Sequence, residues 1–136
     1  MRNISFTLGC TFVAFLAGLL IHLYSKPSRN VAKETGIPVT ATELYAQFSS
    51  DHIQANQAYL NKVLQVSGQV LTIKNSRYAG PVVILNTGDP LFGVACSLSQ
   101  VEPGAQPVKP GEKITVKGIC TGYLSDVVLS NSCLVN

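Results

Sequence analysis

The side chains able to do chemistry are few in this chain of 136 residues. His22 and His52 are its only histidines, and neither serine nor cysteine stands in a recognisable nucleophile turn, so a catalytic triad has no support. Cys96, Cys120 and Cys133 with His52 make a Cys₃His set on paper. The CxxC knuckles that usually deliver zinc ligands are absent, so no metal is expected, and no cofactor either. Paired carboxylates are not evident: Asp89 belongs to a Gly-Asp-Pro turn and Asp126 begins a strand. What remains is binding. Lys74, Arg77 and Tyr78 fall together in one loop, and Tyr123 with Asp126 in another. Two tyrosines facing one another across a groove can stack a base or sugar, or grip a peptide. The expectation is a protein that is not an enzyme, whose ligand-binding residues are Lys74, Arg77, Tyr78, Tyr123 and Asp126.

Those loops need a scaffold, and from Lys62 onward the apolar period is two. Val63 to Ile73 reads as a long first strand, followed by Val82–Leu85, Gly93–Leu98, Glu112–Thr121 and Val127–Val135. Gly68 and Gly118 interrupt the first and fourth strands, where glycine marks a bend, a bulge or a close backbone approach. Five strands with a long, kinked first one imply a mainly β fold, a five-stranded OB-type barrel whose first strand pairs with its fourth. Val101 to Gly111, with three prolines and two glycines, reads as a loop where OB barrels usually carry a helix. Ahead of the barrel, Thr40-Ala41-Thr42-Glu43 matches a capping box and opens a short amphipathic helix to Ser50. Asp51 can cap a second turn through Ala55 and Ala58. The ligand candidates then sit on the loops after the first and fourth strands, where OB domains bind.

Strand alternation points Cys96, Cys120 and Cys133 into the barrel. Two readings stand: small core residues, or a Cys120–Cys133 disulfide across the last hairpin. A two-residue turn at Ser125-Asp126 sets Cys120 opposite Asn131, so the bridge requires a looser loop or a bulge.

Tyr59-Leu60-Asn61-Lys62, Val66-x-Gly68-x-Val70 and Val94-Ala95-Cys96 resemble the bacterial tRNA-anticodon-like OB-fold family. So does the tail, with Gly111-x-x-Ile114-x-Val116-x-Gly118-x-Cys120-x-Gly122, Asp126-Val127-Val128-Leu129 and Asn131-Ser132-Cys133. The resemblance covers about Ala41 to Asn136 and describes a fold more than an active site. It implies a small exported or membrane-anchored protein with no assigned reaction.

Ile4 to Tyr24 holds no charged residue and, at ~1.5 Å per helical residue, covers about the ~30 Å of a bilayer core. Residues 1–25 are therefore expected to be a transmembrane anchor, 26–39 a flexible tether, and 40–136 the OB domain. Leu8-Gly9-Cys10 has the end of a lipoprotein cleavage site, but too few residues precede it for a full lead-in. The formal charge of +3 belongs to the membrane neighbourhood. Arg2, Lys26, Arg29 and Lys33 stand there against Glu34, whereas from Pro38 onward six bases meet six acids. A neutral domain has no excess with which to neutralise phosphates, so nucleic acid is disfavoured as a partner. Lys26, Arg29 and Lys33 outnumber Arg2, which by itself favours a cytoplasmic domain. Three cysteines in a small β domain and a first apolar segment that acts as a signal anchor favour the other side. The expected place is the inner (cytoplasmic) membrane, single-pass, with the domain outside the cytoplasm and a protein or small envelope ligand as partner.

Overall fold

The computed structural model describes residues 4–24, 29–78, 80–99 and 104–135, with the side chains of the first helix described from Gly9. In chain order these form α1 (Ile4–Tyr24), a 3₁₀ turn (Val31–Lys33), β1 (Ile37–Thr40), α2 (Ala41–Ser50) and α3 (His52–Tyr59). Then follow β2 (Val63–Ser76), β3 (Gly80–Leu85), β4 (Val94–Leu98), β5 (Lys113–Leu124) and β6 (Asp126–Val135).

Strand β2 organises the barrel because it serves two neighbours in turn. Val63 to Gln69 pair antiparallel with β5, while Val70 to Ser76 pair with β3 across a register shift between Val70 and Thr72. With β4 on β3, and β6 between β4 and β5, the ladder closes into the five-stranded OB ring. Closure removes the exposed edges that an open sheet would present. The core is drawn from one face of every strand, with Leu64, Val66, Leu85, Val116 and Leu129 fully buried.

Local chemistry starts both helices of the domain. Thr40 Oγ1 accepts from the Glu43 amide at 3.2 Å, and Asp51 Oδ1 from the Gln54 amide at 3.1 Å, which satisfies donors that a helix start leaves orphaned. The apolar stripe Ala41, Leu44 and Phe48 of α2 is buried against the barrel. Among the described residues between β4 and β5, 104–112 form no helix. Gln100 to Pro103, the start of the loop expected there, lie outside the described residues.

Two expectations are corrected. Residues 29–39 are not a free tether. Arg29 is forked onto Glu34 and donates to the Asn61 carbonyl at 2.9 Å, and Val31 is buried. Lys117 Nζ donates to the Glu34 carbonyl at 2.8 Å, and Ile37–Thr40 pair in parallel with Leu64–Ser67 as a sixth strand. The remaining tether residues, Lys26 to Ser28, lie outside the described residues.

Secondly, Cys120 and Cys133 are free thiols on opposite faces of the last hairpin. Cys120 is buried opposite Leu129, whereas Cys133 is half-buried opposite Lys117. A bulge between Ser130 and Cys133, with Asn131 at φ 51°, shifts the alternation by one residue. Ser132 turns inward in place of its neighbour.

For the expected anchor, among the described residues no helix is long and apolar enough to cross a membrane. Met1 to Asn3 and Ser25, which the expected anchor also includes, lie outside the described residues. Every described side chain of α1 is exposed, from Phe12 through Leu16 and Ile21 to Tyr24.

Candidate functional site

The residues singled out in the sequence separate into two places at opposite ends of the β3–β4 wall. At one end is the β2–β3 turn. Lys74 pairs with Val82 on the outer face of the ladder, and Arg77 and Tyr78 follow in the turn, with Tyr78 99% exposed. Ser76 Oγ accepts from the Tyr78 amide at 3.3 Å, which fixes the backbone and leaves the ring in solvent. An exposed aromatic beside two bases is a stacking and anion-contact device.

At the other end, β5 and β6 turn through Ser125 alone, held at φ 96° between the paired Leu124 and Asp126. Asp126 Oδ1 accepts from the Gly93 amide at 2.7 Å, and the Val127 amide donates to the Gly93 carbonyl at 3.1 Å. The carboxylate thus ties this turn to the loop between β3 and β4 and is not offered to a ligand. Tyr123 stacks on Phe48 with centroids 5.7 Å apart and meets Tyr45 edge-on at 6.2 Å. Phe48 in turn lies 6.1 Å from Tyr59, whose hydroxyl donates to Gln47 Oε1 at 2.8 Å. The six residues of β3, roughly 20 Å of strand, separate the two ends. The tyrosine pair expected across one groove therefore does not form: Tyr123 packs beneath α2, and only Tyr78 is free to stack.

Sequence reasoning missed the residues that complete this second end. Asp89 Oδ1 accepts from the amides of Leu91 at 2.8 Å and Phe92 at 3.0 Å. Those donors, with the Tyr45 hydroxyl, hold its carboxyl below the usual carboxylate range. Burial raises the Tyr45 phenol, and the charge of Asp89 and the Tyr123 hydroxyl raise it further. Thr87 Oγ1 donates to the Phe92 carbonyl at 2.8 Å, so the 86–93 loop is braced internally. What it holds out is apolar: Leu91 is 78% exposed, and Leu124 on the adjoining turn 90% exposed. The signal was present as an apolar Leu-Phe pair directly after the Asp-Pro turn.

An apolar cleft of about 1320 Å³ lies under Gly104–Val108, with Ile73, Val83, Leu98, Ile114 and Leu134 among its walls. Burial pushes the Cys96 thiol up to about 12 and raises Cys120 as well, so neither is a nucleophile. Among the described residues no three His, Cys, Asp or Glu side chains are grouped to hold a metal ion.

Ring closure, strand order and the helix ahead of the barrel define an OB-fold domain. The chain belongs to the tRNA_anti-like family, which matches it over residues 8–134. Among solved structures it is similar to a candidate nucleic acid-binding lipoprotein from Klebsiella pneumoniae, at 18% identity and a TM-score of 0.55. That match covers 72% of this chain and 92% of the other. A second similarity is to the Stn1-Ten1 complex of S. pombe, at 13% identity and a TM-score of 0.45, over 77% of this chain and 81% of that one. No curated protein matches the sequence.

Proposed function

We propose that the chain is a membrane-anchored, non-catalytic OB domain that acts as an interaction module of the cell envelope, anchored in the inner membrane with the domain outside the cytoplasm. The observation that carries the anchor is α1. A helix without a charged residue, apolar all round and with every described side chain exposed, has no stable place in water. Lipid is the solvent that suits it. The interaction surface is the tip that carries Leu91, Phe92 and Leu124, because it combines exposed apolar side chains with a braced backbone, as a protein contact requires. Carbonate extraction of membranes tests the anchor: the chain should stay in the pellet, and removal of residues 4–24 should release it. Photo-crosslinkers placed at Leu124 should capture a discrete partner that is lost on Leu91→Asp, whereas no capture at all would reject the interaction surface.

A second reading, single-stranded nucleic-acid binding, is favoured by Tyr78 standing exposed beside Lys74 and Arg77. The similar lipoprotein from Klebsiella pneumoniae, described as nucleic acid-binding, points the same way. The outer face of β3 tells against it, since Val82 and Ile84 lie where stacking rings would be needed.

A further inference from the structure

We infer that the barrel rests on the anionic head groups of the membrane with its β5–β6 side down, and turns the outer wall of β3 toward the aqueous space. This rests on the anchoring of α1 proposed above, and deepens it from attachment to orientation.

The argument starts from the strap, residues 29–34. The Asn131 side-chain amide donates to the Arg29 carbonyl at 2.9 Å, and Arg29 reaches the Asn61 carbonyl at the same distance. Lys117 holds the far end through the carbonyls of Ala32 and Glu34, and Val31 between them is 3% exposed. The strap is therefore part of the domain, and it lies over β5 and β6.

Only residues 25–28 separate it from the last residue of α1. Five steps of chain reach at most about 18 Å, whatever path they take. A domain of about a hundred residues has a radius of gyration of ~13 Å, so its far side stands beyond that reach. With Tyr24 at the bilayer surface, the strap cannot be carried to the top of the molecule. In the ring order β2-β3-β4-β6-β5, the wall across from the β5–β6 seam is β3.

Charge favours the same pose. On the strap side, Arg29, Lys33, Lys62 and Lys117 stand against Glu34. The remainder of the chain from Pro38 holds four bases against six acids. The strap side is thus the positive part of the domain, which suits anionic lipid. Val82 on β3, and Lys74 beside it on β2, are left open to ligands from solution.

The test uses the full chain in phosphatidylglycerol-containing vesicles, with Cys10→Ser and Cys133→Ser so that one introduced thiol carries a fluorophore. Cys96 and Cys120 are buried and stay unlabelled while the domain is folded. Asn30→Cys, on the strap, should be quenched several-fold more by head-group nitroxide lipids than Lys74→Cys, on the part of β2 that pairs with β3. A flexible Gly/Ser insertion of about twelve residues after Ser25 should abolish that difference while the chain still floats with vesicles. Lys33→Glu with Lys62→Glu should weaken quenching at Asn30→Cys, and no change would remove anionic lipid as the partner. Equal or reversed quenching in a chain that floats overturns the orientation. A chain that does not float overturns the anchoring itself.

Discussion

Ala41, the first residue of α2, sits directly on Gly68 of β2: a Cβ at position 68 would lie 2.9 Å from the Ala41 Cβ and 3.4 Å from that of Leu85. The glycine admits the helix to the barrel wall. Gly68→Ala should destabilise the domain by about 1–3 kcal/mol through overpacking, and adding Ala41→Gly should recover part of it. Thermal melts of the chain in detergent measure both. A Gly68→Ala variant that melts with the parent would mean the helix is not seated there.

Gly118 plays the corresponding part on β5, where a side chain would overlap Ser132 Oγ. That hydroxyl is fully buried and finds no hydrogen-bond partner among the described residues. Ser132→Ala should therefore leave stability unchanged or raise it by up to about 1 kcal/mol, since an unpaired polar group costs free energy to bury. Gly118→Ala should be strongly destabilising alone and milder with Ser132→Gly. Denaturant midpoints compare the set, and a large loss on Ser132→Ala would show that the hydroxyl is satisfied.

The thiols make a third case. Cys133 should alkylate first within the folded domain, and Cys96, whose thiol is pushed up to about 12, only on unfolding. Burial raises Cys133 too, but Lys117 opposite it acts in the other direction. Peptide mapping of non-reduced protein should recover both Cys120 and Cys133 as thiols. A disulfide-linked peptide pair would overturn the register of the last hairpin.

That hairpin also marks the limit of what sequence can supply. Period-two alternation locates β2 to β6, and the closure of β2 onto β5 follows from its length and from Gly68. Thr40 and Asp51 are legible as caps because capping is a local bond between near neighbours. Ile37–Thr40 is not legible as a strand, because four residues with a proline have no signal of their own until β2 offers an edge. The bulge at Asn131 is invisible for a similar reason: it is dictated by Ser132 fitting against Gly118 on another strand. For the site, Tyr78 is exposed as the loop reading requires, while Tyr123 is claimed by Phe48 and Tyr45, a contact between residues far apart in the chain.

Asp89 and Tyr45 give a pH test with a definite sign. The Asp89 carboxyl is held down by the Leu91 and Phe92 amides, so its contribution is present above the ordinary carboxylate pKa and is lost as pH falls through the lowered one. Asp89→Asn should flatten the acid limb of the stability profile. At alkaline pH the same change removes a negative charge beside Tyr45, so one tyrosine should ionise at lower pH than in the parent. Tyrosinate absorbance follows this directly, and an unchanged titration would separate the two groups.

The remaining prediction decides between the two readings of function. From Pro38 onward the chain is neutral, Tyr123 is packed, and only Tyr78 is left to stack a base. The full chain in detergent should therefore show no measurable affinity for single-stranded DNA or RNA at near-physiological salt. Tyr78→Ala should leave stability unaltered, because the ring is 99% exposed, whereas Tyr123→Ala should lower it by about 1–3 kcal/mol by emptying the stack on Phe48. That contrast makes the two variants a clean pair. A nucleic-acid binder working through Lys74, Arg77 and Tyr78 would lose affinity steeply with salt, and roughly 1–3 kcal/mol on Tyr78→Ala. Its affinity would survive Leu91→Asp at the opposite end of β3. Labelled oligonucleotides titrated at two salt concentrations against the three variants separate the outcomes. Micromolar binding that is salt-sensitive, Tyr78-dependent and indifferent to Leu91 would replace the envelope interaction module with a nucleic-acid-binding OB domain.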